Sequence, residues 1–142
     1  MTRFRAGLHG ALALLLLAGC ASRVEPPENL SVAAARPANF PPGPEADFAA
    51  QPQIAAIWLS SLTLERGSTW SGEISTSSNA ASVEVRTDSF SFSVPRIRTG
   101  LFAFSYAIPD LPPYLRRRFV LHVVARNAAG DQLDEAIPIE ID

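Results

Sequence analysis

Histidine is the side chain most often used for acid–base and metal chemistry near neutral pH, and this chain of 142 residues contains two of them. His9 lies near the N-terminus, and His122 lies between Leu121 and Val123 in an alternating apolar run. One imidazole in the body of the chain does not supply the ligands of a zinc cluster, and it disfavours a Ser-His-Asp site. We therefore predict that His122 is a sheet-surface residue, and we assign no catalytic residue and no cofactor.

Oxygen-bearing side chains gather near the C-terminus, at Asn127, Asp131, Asp134 and Glu135. Carboxylate and amide oxygens are the ligands that Ca²⁺ prefers. Their spacing matches no known calcium loop, and Gly130 followed by Asp131 is typical of a solvated turn. We predict an acidic turn here and no metal site.

Arginine is concentrated at Arg116, Arg117 and Arg118, which follow Pro112-Pro113-Tyr114 in a predicted loop. The planar guanidinium group suits phosphate or carboxylate recognition. A run of three arginines is also compatible with a solvated loop. The three arginines are candidate partner-binding residues.

Trp58 is a further candidate partner-binding residue, in the segment Ile54–Leu59. As a strand, this segment has two apolar faces, with Ile54 and Trp58 on one and Ile57 and Leu59 on the other. One face can enter a core. The other face needs a cover, which is either a loop of the same domain or a partner.

The elements that must position these residues are β-strands. Apolar residues alternate with polar ones from residue 54 onward, and turn formers such as Ser77-Ser78-Asn79 separate the runs. Seven candidate strands share this pattern, near residues 54–59, 70–74, 83–85, 90–94, 102–108, 119–125 and 137–141. Short strands at this spacing predict that residues 53–142 form an all-β antiparallel sandwich of about seven strands.

Residues 20–52 have a different composition, with seven of the twelve prolines and few large apolar residues. Such a segment buries too little surface to offset its ordering entropy, so we predict an extended, disordered linker. In polyproline conformation it could reach up to ~100 Å. The alternative is that Pro41-Pro42-Gly43-Pro44 is a ligand for an aromatic groove.

The N-terminus combines Arg3 and Arg5 with the apolar run Ala11–Leu17 and the small residues Ala18 and Gly19. That order is typical of a secretory signal peptide, and the run is well short of the ~20 residues that span a bilayer. We predict that residues 1–19 are removed. Cys20 is the only cysteine and so has no intramolecular disulfide partner.

The sequence Leu17-Ala18-Gly19-Cys20 resembles the lipobox of bacterial lipoproteins, whose cysteine is acylated and becomes the first residue of the mature protein. The resemblance implies a lipid anchor, including palmitate, on Cys20. Ala21 resembles the residue choice that sorts such proteins to the outer membrane of Gram-negative cells. The alternative is an ordinary signal peptide with an incidental cysteine.

The second resemblance concerns the strands. Gly72-Glu73-Ile74 through Asn79 to Ser82–Val85 resembles the second and third strands of bacterial Ig-like domains. The run from Phe119 to Gly130 is similar to the penultimate strand and last turn of Ig-like and fibronectin type III modules. The early position of Trp70 favours the bacterial Ig-like branch. This resemblance implies a fold and says little about function.

These patterns together predict a non-enzymatic lipoprotein of the outer membrane that presents an Ig-like domain for protein–protein interaction or envelope structure. Loss of Arg3 and Arg5 leaves 10 basic residues against 14 acidic ones, a net charge of −4, which disfavours nucleic acid as a partner. The alternative is a lipid-anchored carbohydrate-binding module that uses Trp58, Tyr106 or Tyr114 as a stacking platform.

Overall fold

The computed structural model describes residues 23–142, so the predicted signal peptide and the predicted acylation site at Cys20 lie outside the described residues. The described chain consists of strands and one 3₁₀ turn, Pro113–Leu115. The strands are β1 (Leu30–Val32), β2 (Ile54–Leu59), β3 (Thr63–Leu64), β4 (Thr69–Thr76), β5 (Ala80–Arg86), β6 (Ser91–Val94), β7 (Arg96–Arg98), β8 (Leu101–Ala107), β9 (Arg118–Asn127) and β10 (Gln132–Ile141).

The strands form two five-stranded sheets that make an all-β, Ig-like sandwich, as the sequence predicts. The first sheet has the order β1-β2-β4-β8-β7, and the second has the order β3-β10-β9-β5-β6. Neighbouring strands are antiparallel except for the parallel pairs β1–β2 and β3–β10. The seven predicted strands correspond to β2, β4, β5, β6, β8, β9 and β10. The remaining three, β1, β3 and β7, are only two or three residues long.

Aromatic side chains tie the two sheets together at Trp70 of β4. Its ring, 2% exposed, makes edge contacts with Phe104 of β8 at 4.8 Å and with Phe92 of β6 at 6.5 Å between centroids. Its indole N–H donates to the carbonyl of Ser61 at 3.1 Å, so the buried nitrogen is satisfied. Each such aromatic pair adds about 0.5–1.5 kcal/mol beyond the burial of its area.

Strand β2 contains a register shift between Ile54 and Ala56. An extra residue in a strand changes which face the following side chains occupy. Ile54, Ile57 and Leu59 therefore all join the core, while Trp58 lies outside it. The predicted pairing of Ile54 and Trp58 on one face is wrong for this reason.

The prediction of a mobile linker is wrong for residues 29–52, which lie on the sandwich. Strand β1 pairs in parallel with Ile57–Leu59 of β2. Further along the segment, the side-chain amide of Asn79 donates to the carbonyls of Asp47 and Ala50 at 2.9 and 2.6 Å. Local composition predicts an unfolded chain, but these partners are about thirty positions away in sequence and supply the hydrogen bonds that the composition does not reveal.

Gly43 is the position of closest approach between this segment and the sandwich. A Cβ atom on Gly43 would lie 1.7 Å from the carbonyl oxygen of Thr76, at the end of β4. The next residue, Pro44, accepts a hydrogen bond from the amide of Ser78 at 3.0 Å. The Pro-Pro-Gly-Pro motif therefore packs on the sandwich of its own chain.

We expect Gly43→Ala to detach residues 36–46 from the sandwich while the core stays folded, because the added methyl group meets backbone atoms that no rotamer change can move. The cost should be about 1–3 kcal/mol. Native-state hydrogen exchange at the amides of Ala46 and Ser78 measures this free-energy cost. We expect exchange at both amides to be faster by about tenfold or more. Ala38→Ser, at an exposed position of the same segment, is the matched control. Unchanged exchange in Gly43→Ala would contradict the expectation.

Candidate functional site

His122 lies on the outer face of the second sheet, as predicted. Its Nδ1 is 2.8 Å from Oδ1 of Asp134, and the other oxygen of Asp134 accepts a hydrogen bond from Arg86 at 3.3 Å. Arg126 pairs with Glu84 at 2.8 Å on the same face. All five side chains are part-exposed, so each pair is worth about 0–1 kcal/mol. These side-chain contacts give the outer face of the sheet a polar surface.

The oxygen-bearing residues of the last hairpin point in different directions. Asn127 donates to the carbonyl of Ala50 at 2.8 Å and accepts from the amide of Asp131 at 2.8 Å, which closes the turn. Asp134 faces outward to His122, whereas Glu135, the next residue, lies on the inward face of β10. Within residues 23–142, no three His, Cys, Asp or Glu side chains form a group that could hold a metal ion.

The three arginines do not form one cluster. Arg117 pairs with Asp88 at 3.0 Å and its guanidinium lies 4.3 Å from the ring centroid of Phe119. Arg118 is 3.9 Å from a carboxylate oxygen of Glu140, a long contact between exposed side chains. Arg116 is exposed, and no carboxylate in residues 23–142 pairs with it. Of the three, Arg116 is therefore the one whose charge the described chain leaves unmatched.

Trp58 lies on the first sheet and is separated from the arginine run, which lies at the start of β9 in the second sheet and in the loop before it. Its indole N–H donates to the carbonyl of Ala33 at 2.9 Å, just beyond β1. The cross-strand neighbour of Trp58 is Glu73, which is 8% exposed and paired with Arg36 of the same segment. Part of the cover over this face thus comes from the Pro-rich segment, and Trp58 keeps an intermediate exposure.

Asn29 and Glu135 form a polar contact that the sequence did not reveal. The Asn29 side-chain amide donates to Oε1 of Glu135 at 3.0 Å and to the carbonyl of Ile54 at 2.9 Å. Two buried atoms of the pair, Oδ1 of Asn29 and Oε2 of Glu135, have no hydrogen-bond partner within the part of the chain that the structure describes. Burial raises the pKa of Glu135, and the hydrogen bond from Asn29 offsets part of that rise. The inward position of Glu135 could have been predicted from the two-residue period of β10. That period places Glu135 on the same face as the core residues Ile137 and Ile139.

One end of the sandwich carries an apolar groove. We call this end the loop end and define it as the connections 60–62, 65–68 and 87–90 and the loop 108–117. The contacts Arg66–Asp110 and Arg117–Asp88 and the hydrogen bond from Gly67 to the carbonyl of Ile108 join these connections. The groove measures about 140 Å³ and is lined mainly by the apolar side chains of Trp70, Phe90, Tyr106, Ile108, Leu111 and Leu115.

Tyr106 forms the exposed wall of this groove. Its ring stacks on Phe92 at 5.7 Å with an interplanar angle of 9°, and the residue is 47% exposed. Tyr114, in the loop above, is 76% exposed. The structure thus brings Tyr106 and Tyr114 to the same end, while Trp58 lies on a sheet face.

A second, wider groove of about 1090 Å³ lies between residues 23–26 and the outer face of the second sheet. Arg23, Val24 and Pro26 form one wall. The opposite wall includes loop-end and neighbouring residues, namely Thr63, Asp88, Arg118, Val120 and Pro138. Residues 23–26 therefore lie along the outer face of the second sheet, on the side of it that adjoins the loop end.

The fold and these surfaces define an Ig-like β-sandwich with an N-terminal segment folded back on it. No family model matches the chain, and no curated protein matches it. Among solved structures, the chain is similar to a DUF4785 family protein from Legionella pneumophila, with a TM-score of 0.47 and 11% identity. The match covers 60% of this chain and 27% of the Legionella protein, so this chain spans well under two thirds of the length of the Legionella protein. Residues 23–142 contain no helix with the length and hydrophobicity needed to cross a membrane.

We expect Glu135→Gln to raise the free energy of unfolding at about pH 8 by about 1 kcal/mol, because the amide can donate to the unpaired Oδ1 of Asn29 without burying a charge. The raised pKa means that the folded chain holds this proton more tightly than the unfolded chain does. The stability that Glu135 contributes is therefore fully present below about pH 4.5, the ordinary pKa of a glutamate, and is lost as the pH rises through the folded-state pKa.

Urea unfolding of wild type and Glu135→Gln at about pH 4.5 and about pH 8 measures this difference. The gain from the substitution should be larger at the higher pH. Glu140→Gln, on the outward face of the same strand, is the control and should show no such gain. An equal effect of Glu135→Gln at both pH values would contradict the assignment.

Proposed function

We propose that the chain is a non-enzymatic lipoprotein of the outer membrane that presents its Ig-like domain for protein–protein interaction or envelope structure. The observation that carries the proposal is the sequence Leu17-Ala18-Gly19-Cys20, which ends in the only cysteine of the chain. Acyl chains on Cys20 would anchor the protein, since each buried CH₂ adds about 0.8 kcal/mol and several chains hold far better than one. The domain would face either the periplasm or the cell exterior.

The use of polar side chains in the sandwich supports a binding or structural role over catalysis. His122, Asp134 and Arg86 are joined in one surface row, and Arg126 and Glu84 in another. These groups are matched to each other at a rigid sheet face. By contrast, the exposed aromatic and apolar groups at the loop end, together with Trp58, are surfaces that another molecule could cover.

We expect Cys20→Ser to abolish incorporation of labelled palmitate and to remove the protein from the outer-membrane fraction, because serine offers no thiol for acylation. Ser22→Ala, two residues further on, is the control and should behave as wild type. The measurement is metabolic labelling combined with separation of inner and outer membranes. Palmitate-free wild-type protein, or a Cys20→Ser variant that still fractionates with the outer membrane, would refute the anchor.

A carbohydrate-binding module is the second candidate function, and the geometry of Tyr106 favours it. One face of the Tyr106 ring is stacked on Phe92, which holds the side chain in place, and the residue is still 47% exposed. A rigid aromatic ring with an accessible face can stack on a sugar ring.

For this second function we expect Tyr106→Ala to lose sedimentation with peptidoglycan or outer-membrane polysaccharide. Phe48→Ala, at an aromatic position that is 69% exposed but far from the groove, is the matched control. Binding lost only in Tyr106→Ala would favour the carbohydrate function. Absence of wild-type binding to both polymers would exclude them as ligands, whereas crosslinking to an envelope protein in cells would support the protein-binding function.

A further inference from the structure

The loop end differs in chemistry from the opposite end of the sandwich. Its exposed and half-buried residues include Leu111, Tyr114, Leu115 and Arg116, and Tyr106 adjoins them at the end of β8. Tyrosine and arginine combine an apolar body with a polar tip, which suits them to the boundary between hydrocarbon and water. The loop end is thus amphipathic.

The opposite end is built from the turns 77–79, 99–100 and 128–131, whose residues are small or polar. Phe48, on the docked segment, is the exposed aromatic residue near that end. The two ends are joined by strands such as β9, whose ten residues span about 30 Å. Because Phe48 and Ile97 near the opposite end are 69% and 61% exposed, the loop end differs in its tyrosines and arginine and not in apolar exposure alone.

Several charges at the loop end are matched, although the exposed carboxylate of Glu65 has no basic partner among residues 23–142. Asp110 pairs with Arg66 at 3.1 Å, and Asp88 pairs with Arg117 at 3.0 Å. Arg116 lies between these pairs in sequence and has no carboxylate partner among residues 23–142. A guanidinium group in this position can bind a phosphate in bidentate fashion.

The location of residues 23–26 relates the sandwich to the anchor. These residues form one wall of the wide groove, whose other wall extends from Asp88 at the loop end to His122 and Pro138 on the outer face of the second sheet. Arg23 follows Cys20 by three residues, so an extended chain keeps the two within about 11 Å of each other. Because residues 29–52 are docked on the sandwich, they do not lengthen this connection.

We propose that the loop end lies against the headgroup layer of the bilayer that holds Cys20, with Tyr106 and Tyr114 at the interface and Arg116 at the lipid phosphates. This inference rests on the proposed function, since it needs the acyl anchor. An extended linker would hold the domain up to ~100 Å from the membrane, whereas in this orientation the domain rests on the membrane surface. The opposite end and the outer sheet faces then remain available to a protein partner.

The test uses the acylated full-length protein in phosphatidylcholine–phosphatidylglycerol vesicles whose headgroups carry a nitroxide quencher. Acylation of Cys20 leaves an introduced cysteine as the only free thiol. A fluorophore is attached at Ser89→Cys in the loop end or at Ala129→Cys in the opposite end, both exposed positions. We expect several-fold stronger quenching at position 89 than at position 129.

A second comparison tests the named side chains. Tyr114→Ser combined with Arg116→Ser, in the Ser89→Cys background, should lower the quenching toward the value at position 129. Phe48→Ser in the same background is the matched control and should leave it unchanged. Flotation of each sample with the vesicles is measured in parallel. Protein that does not float refutes the lipid anchor, whereas protein that floats with equal quenching at the two positions refutes the orientation alone.

Discussion

Backbone pairing between Leu30–Val32 and Ile57–Leu59 determines the path of the whole N-terminal part of the described chain. Because β1 runs parallel to β2, the chain after it continues toward the loop end at Ala33, whereas Asn29, before it, lies beside Ile54 and Glu135. The pairing uses main-chain donors and acceptors, which must be satisfied whatever the side chains are. A proline-rich composition is therefore compatible with an ordered segment when an open strand edge is available.

Besides its main-chain pairing, this segment is held by hydrogen bonds from a few polar side chains at the opposite end and along β10. Asn79 and Asn127 both donate to the carbonyl of Ala50, and Asn29 joins the segment to Glu135. Such contacts give about 0.5–1.5 kcal/mol each, and they hold the segment only as a group. Among residues 23–142 the pair at Asn29 also leaves two buried atoms unpaired, and burial raises the pKa of Glu135 there.

The docked segment also bears on how an anchored domain would be oriented. A long free chain after Cys20 would allow the sandwich to rotate in any direction. A short connection that starts at one end of the sandwich restricts that rotation. In the proposed orientation, the loop end, with Tyr114 and Arg116, would lie on the side of the anchor.

Alternation of apolar and polar residues was enough to predict the seven main strands and the two-layer core, because side-chain direction in a strand depends only on position in the local sequence. It also placed His122 on an outer face, where the structure has it. The lipobox at Cys20 is likewise a local pattern, and it remains a prediction.

Contacts between residues distant in sequence could not be predicted in this way. The bulge before Ala56 moved Trp58 relative to Ile54, and the docking of residues 29–52 depends on partners such as Glu135, which is 106 positions from Asn29. Only the tertiary structure brings those groups within hydrogen-bonding distance. The composition of a segment indicates how much surface the segment can bury by itself, but it does not indicate with which strand edge the segment pairs.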